Sequence, residues 1–525
     1  MRIMSTRWLA MGGAALLLAV PACNNDLTVA PQSNITSGNI FSDTTSYRAF
    51  LAKLYAGLAV TGQSGPDGKP DISGIDEGFS QYVRGYWQLQ ELPTDEAIIG
   101  WGDTGLPELN TQTWSAANPF TTAMYARIFY QVALANEFLR QTSDAQLSAR
   151  GTAAALVTEV QGYRAEARFL RALSYYHALD LFGNVPIVDE NFDISKLPVQ
   201  AARSDVFAFV EKELKEARAG LPARSTGSYY GRASQQAVDM TLAHLYLNAK
   251  VWTGTDRSAD ALAAASSAIA GGGSLDTSIP HLFQADNNTS PEILFSIPFD
   301  GNHTRTWGGM TYLIHASVGD NMDAAASGID GGWYGLRLRP SAVERYAGGA
   351  SSTDLRAQFI RTAGRTEDIA NVGSSNNGYA LAKFRNVTAD GKPGSNLTFP
   401  DTDYPMYRLA DAYLIYAEAF LRGGGGSQGT ALGYVNALRT RANATPIGAA
   451  ELTLPFILDE RGRELLWEGM RRQDLIRFGQ FSTAGIWQWK GGTHDGEVTS
   501  ANHDLYPIPA NELSANPTLK QNPGY

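Results

Sequence analysis

A single cysteine, Cys23, leaves no thiol for a disulfide or a thiolate metal site elsewhere in this 525-residue chain. Histidine is scarce as well. Its seven copies show no HExxH and no zinc-ligand spacing. No serine sits in the strand–turn–helix context of a nucleophile elbow, so the common motifs of covalent hydrolysis are missing. Lysine and arginine (42) are outnumbered by aspartate and glutamate (52), for a net charge of -10. The basic stripe that phosphate contacts need is therefore absent, which excludes nucleic acid as a partner. After Cys23 no apolar run is long enough to cross a bilayer.

What is present begins at the N-terminus. Arg2 and Arg7 precede an apolar run, Trp8 to Val20, of the length of a signal-peptide core. Val20, Pro21, Ala22 and Cys23 then resemble a bacterial lipobox. That resemblance implies cleavage after residue 22 and diacylation of Cys23. More than one acyl chain anchors a protein durably, where one does not. Loss of residues 1–22 removes two arginines and no acids, moving the net charge from -10 to -12. Residues 23–40 are polar and aperiodic and read as a tether. One domain is expected over 41–525.

Helical periodicity starts at Ser46, with Phe50, Leu54 and Leu58 on one face. Ala165, Phe169, Ala172, Tyr176 and Leu179 form another such face, and Leu242, Leu245, Ala249 and Trp252 a third. Leu409, Tyr413, Tyr416 and Phe420 form a fourth. Phe182-Gly183-Asn184 before Pro186, and the run Gly423 to Gly426, stop two of these helices. Helices are expected over about 41–60, 119–271 and 405–480. The segments 61–118 and 272–404 are rich in Gly, Asn, Asp and Pro, with short strand-like pieces such as Glu292 to Pro298. Long irregular segments of this kind are usually functional.

Five passages, in order along the chain, resemble the SusD/RagB family of nutrient-binding lipoproteins. They are Tyr82–Trp114, Tyr163–Val188, Tyr404–Leu421, Ile457–Gly479 and Leu505–Tyr525. The resemblance implies a mainly α fold: tetratricopeptide-like helix pairs as scaffold, with long irregular segments and a few short strands. It further implies an outer-membrane, lipid-anchored, surface-exposed protein that captures glycan for a SusC-like TonB-dependent transporter.

The charges in the motifs read as scaffold. Arg164, Arg168 and Arg171 form one column, and their own helix offers no carboxylate in that column, so carboxylates from elsewhere, Asp411 or Glu418, are expected to meet them. Glu460, Glu464 and Glu468 form an acidic column with Arg463, Arg471 and Arg472 in reach.

The loops carry the candidate site. Sugar rings stack their C–H faces on aromatic rings, and their hydroxyls need polar partners. Trp101, Trp307, Trp333, Tyr334 and Tyr312 are the expected stacking residues, with Asp103, Asn302, Arg305 and Arg337 as polar ones. Trp and Tyr are also frequent core residues, and Trp114, just before a helix, reads as core. No catalytic residue, cofactor or metal is expected. Were a cation bound, calcium on Asp67, Asp71 and Asp76 would be the choice, although their spacing is not that of an EF-hand and a solvated turn accounts for them. Two other functions compete: a peptide-binding lid of a RagAB-like uptake system, and a glycoside hydrolase using Asp95, Glu96 or Asp103.

Overall fold

The computed structural model describes residues 41, 44–66, 70–319 and 321–525. The expected signal peptide, Cys23, the whole tether and Asp67 lie outside the described residues.

Helix α1 spans Thr44–Ala59, α2 Tyr82–Glu91, strand β1 Ala97–Ile99, α3 Pro119–Gln141, α4 Ala154–Leu181 and α5 Arg203–Arg218. Then follow α6 Gln235–Leu247, α7 Ser258–Ala270, β2 Ile293–Ile297, α8 Gly309–Ser317 and β3 Leu336–Leu338. Strand β4 is Tyr404–Arg408, and α9 Leu409–Leu421, α10 Gln428–Arg441, α11 Leu454–Glu464 and α12 Arg471–Arg477 complete the scaffold. Neighbouring helices pack as pairs: α4 with α5, α6 with α7, α9 with α10. Helix α4 also packs on α3, and α7 on α9, so the pairs share one apolar core. Strands are few and short. β1 pairs antiparallel with β3, and β2 with β4.

The helix stops follow glycine. α4 ends at Leu181 before Gly183, whose φ is +73°, and α9 at Leu421 before Gly423, whose φ is +89°. Two helices, α2 and α8, lie inside segments expected to be loop-rich. Every residue of both is buried. Their polar residues are buried along with the apolar ones, so neither reads as a surface helix.

The arginine column of α4 finds partners other than those expected. Arg168 and Arg171 share Glu213 of α5, at 2.8 and 2.5 Å, and Arg171 also takes Glu190 at 2.5 Å. Arg164 donates to the Leu139 carbonyl at 2.6 Å and to the Thr142 hydroxyl at 3.0 Å. Asp411 instead holds His244 and Arg461, and Glu418 holds Arg422 and Arg477. The acidic column is buried. Arg356 bridges Glu460 and Glu464, at 2.8 and 3.0 Å. Arg408, at the end of β4, gathers Glu292, Glu464 and Glu468 at 2.9, 2.7 and 2.6 Å. Arg463 stays with Glu460, but Arg471 turns to Asp95 and Arg472 to Asp180. The chain breaks at Trp467, with φ +63°, so the assumed continuous helix is two.

Arg408 is shared by three buried carboxylates. Arg408→Ala leaves Glu464 and Glu468 short of a partner in the core and should cost on the order of 3–5 kcal/mol in urea unfolding. A second buried group gives a pH signature. Asp403 accepts hydrogen bonds from the Phe299 N–H at 2.8 Å and the Tyr230 hydroxyl at 2.7 Å. Burial pushes its carboxyl up to about 7, although both bonds favour the ionised form. Its folded pKa exceeds the unfolded value of 3.8, so its stabilising contribution is complete below that value and is lost as pH rises through about 7. Asp403→Asn should therefore flatten the decline of the urea midpoint between about pH 4 and 7.

Candidate functional site

The short β1–β3 ribbon sets the first ring. Ile99 faces Leu336, and just beyond them Gly100 N–H donates to the Gly335 carbonyl at 3.0 Å. Trp101 therefore emerges beside residues 333–335. Its indole N–H donates to the Trp333 carbonyl at 3.1 Å. A Cβ on Gly335 would lie 2.6 Å from the Trp101 ring, so only glycine lets this indole lie down.

Trp333 is held from behind. Its N–H donates to the His315 carbonyl at 2.8 Å, and its ring stacks on the His315 imidazole at 4.7 Å and 26°. The buried His315 ring nitrogens face the carbonyls of Gly331 (2.6 Å) and Thr398 (3.0 Å). Burial lowers its pKa, and the two carbonyls oppose that. Trp307 precedes α8, and its ring lies 5.1 Å from Phe399.

The three indoles form an unbroken run. Trp101 and Trp333 are 6.3 Å apart with 44° between their planes, and Trp333 and Trp307 are 6.2 Å apart with 57°. All three are half-buried. Tyr334 stands next to them, 48% exposed, with φ +57°. A non-glycine residue in this region is uncommon, and here it turns the phenol outward from the backbone that presents Trp333.

The polar candidates divide. Asp103 is exposed in the loop after Trp101. Asn302 and Arg305 are exposed on the loop leading to Trp307, with the Arg305 guanidinium 4.9 Å over the Phe399 ring. Two expected ligand residues are not at the surface. Tyr312 lies wholly buried in α8, its ring edge-on to Trp101 at 5.9 Å. It is a support beneath the arc, because α8 packs its whole circumference. Arg337 is buried too. Its guanidinium clamps the loop carbonyls of Val372, Ser374 and Asn377, the last at 2.7 Å. Burial without a carboxylate lowers its pKa to about 10. Trp114 is core, as expected, 3% exposed with its N–H on the Tyr525 hydroxyl.

Arg84 was not among the expected site residues. It is 8% exposed, and no carboxylate pairs with it among the described residues. Its guanidinium covers the Tyr312 ring at 4.3 Å and nears Trp101 at 5.8 Å. Nη1 donates to the Trp307 carbonyl at 3.2 Å, and Nε has no partner among the described residues. Burial lowers its pKa, offset in part by Tyr312, Asp76 and Asp103. A buried cation with spare donors under an aromatic run suits hydroxyl acceptors from a ligand. The sequence signal was a lone arginine in YVRGYWQLQE with no acid at helical spacing.

Two of the three acids expected of a hydrolase are committed elsewhere, and Asp103 stands exposed. Asp95 pairs with Arg345 and Arg471, and Glu96 with Arg345. Burial raises the Asp95 pKa, but the two guanidiniums outweigh it and hold the carboxyl well below its usual range. Gly425–Gly429 does spell GxSxG, yet Ser427 only caps α10 between two helices, accepting from Thr430 N–H at 3.1 Å. Of the calcium candidates, Asp71 pairs with Lys53 at 2.5 Å and Asp76 caps its own turn through Gly78 and Phe79 N–H.

Comparison with known proteins places the chain. Residues 351–525 match the SusD family, and residues 96–247 match a family described as starch-binding associating with outer membrane. The chain is 35% identical to the starch-binding protein SusD of Bacteroides thetaiotaomicron, over 98% of this chain and 97% of that one. It is 25% identical to a SusD-like protein of Bacteroides ovatus, over 96% and 89%. Among solved structures, surface glycan-binding protein A from Bacteroides fluxus superposes with TM-score 0.71 at 22% identity, covering 92% of this chain and 99% of that one. Surface glycan-binding protein A from Bacteroides thetaiotaomicron, in complex with laminarihexaose, does so with TM-score 0.70 at 20% identity, covering 91% and 99%. The buried charge network, the paired helices and the near full-length match agree: this chain is a member of the SusD family.

Proposed function

We propose that the protein binds a curved glycan along Trp101, Trp333 and Trp307, and does no chemistry on it. Held to the outer membrane through a lipid on Cys23 and facing outward, it passes that glycan to a SusC-like TonB-dependent transporter. The observation that carries the reading is the run of three half-buried indoles with its successive tilts of 44° and 57°. A flat ribbon of sugars meets one such plane and leaves the next. A chain that bends as it goes can stack a ring on each. An α-linked glucan has that bend, and the starch-binding name of the 35% identical relative supports the same ligand. Arg84 beneath the run, and Asp103 and Arg305 at its rims, then serve hydroxyls through charge-assisted hydrogen bonds.

Titration calorimetry with maltoheptaose, cellohexaose and a mixed peptide digest tests the reading. Maltoheptaose should bind and remain intact on prolonged incubation. Preference for the peptides, or release of shorter sugars, would overturn it.

Within that assay Trp333→Ala should lose about 1–1.5 kcal/mol, roughly tenfold in Kd, for one stacking contact. Gly335→Ala should weaken binding with little change in thermal midpoint, since the added methyl tilts Trp101. Arg84→Gln should raise Kd by about tenfold, the scale of a hydrogen bond to a charged donor.

A further inference from the structure

A groove of about 390 Å³ runs along the outer face of α1, apart from the indole run. Leu51, Ala56, Ala59 and Val60 of this face and its end make an aliphatic floor, closed across by Pro298. Tyr55 and Tyr230 also stand in its wall, their hydroxyls donating to Glu166 at 2.6 Å and Asp403 at 2.7 Å. Its mouth is lined by donor groups whose carboxylate partners, Glu159, Glu166 and Asp300, lie outside the lining. Arg48, Arg232 and His303 line it, and no aspartate or glutamate does. That is unusual in a chain with a net charge of -10.

The two guanidiniums are paired from outside the groove, Arg232 half-buried and Arg48 with a side chain 73% exposed. Arg232 grips Glu166 through Nε and Nη2, the Nε contact being 3.0 Å. Arg48 uses Nη2 on Glu159 at 2.7 Å and Nε on the Tyr163 hydroxyl at 3.2 Å. In both, Nη1 has no partner among the described residues. His303 is exposed, 3.0 Å from Asp300. An aliphatic trough ending at two oriented, spare N–H donors fits a molecule with an apolar tail and an anionic head. We infer that this groove binds a free single-chain aliphatic carboxylate, its tail along α1 and its carboxylate between Arg48 and Arg232. The site stands independently of the glycan reading.

The test is titration calorimetry of the mature chain with hexanoate, octanoate, decanoate and dodecanoate at low salt, with circular dichroism to confirm that the fold persists. Affinity should rise about fourfold per added methylene, the increment for burying one CH₂. Dodecyltrimethylammonium, with the same tail and a cationic head, should bind at least tenfold more weakly. Ala56→Trp fills the trough and should abolish dodecanoate binding while maltoheptaose binding is unchanged. Arg48→Gln should weaken dodecanoate severalfold. Absence of saturable dodecanoate binding, affinity that ignores chain length, equal binding of the ammonium, or unaltered affinity in Ala56→Trp each overturns the assignment.

Discussion

Everything in this fold leans on a set of carboxylates and guanidiniums sealed inside it. Arg408 sits at the junction of β4 and α9 and reaches Glu292 before β2, Glu464 at the end of α11 and Glu468 beyond it. These residues are far apart in sequence and share no local reason to meet. A buried charge is costly unless its partners are all in place, so the network admits one arrangement of the segments that carry it. Helix pairing alone is more permissive. Apolar faces of similar size can slide or exchange, whereas a guanidinium committed to three carboxylates cannot.

The same device reaches the ligand face. Asp95 and Glu96, just ahead of β1, are locked by Arg345 and Arg471. Arg339, just after β3, donates to the carbonyls of Ala97 and Asn110 at 2.9 and 2.7 Å. The two-strand ribbon is thus pinned at the end away from the indoles. Its other end delivers Trp101 and residues 333–335 side by side. Three residues per strand are too few to hold a ribbon by themselves. The arginines make it rigid, and rigidity is what a stacking surface needs: rings already in position lose little freedom when a ligand arrives.

The supports under the arc explain where single-residue reasoning fails. Tyr312 and Arg337 are chemically suited to a sugar, and each lies near the arc in the chain. Both are spent on structure, one beneath Trp101 and Arg84, the other holding the 372–377 loop. Arg84 shows the reverse. It belongs to a helix buried all round, and its value comes from what surrounds it: two rings, a carbonyl, and no carboxylate paired with it among the described residues. Residue type names what a side chain can do, and its neighbours decide whether it is free to do it.

The sequence by itself determined the paired helices, their glycine stops and the family, because helical periodicity, φ > 0 at glycine and motif order are all local or collinear properties. It also determined that loop tryptophans were the rings to watch. Only the tertiary structure decided which carboxylate meets Arg168 and Arg171, that Ile457–Gly479 is two helices, and that Trp101, Trp333 and Trp307 lie in one curve. Those facts depend on contacts between different elements, from 42 positions apart for Arg171 and Glu213 to 232 for Trp101 and Trp333, or on a backbone turn at Trp467 that no periodicity marks. Pairing at long range is set by the packing of the whole core, and a linear pattern does not contain it.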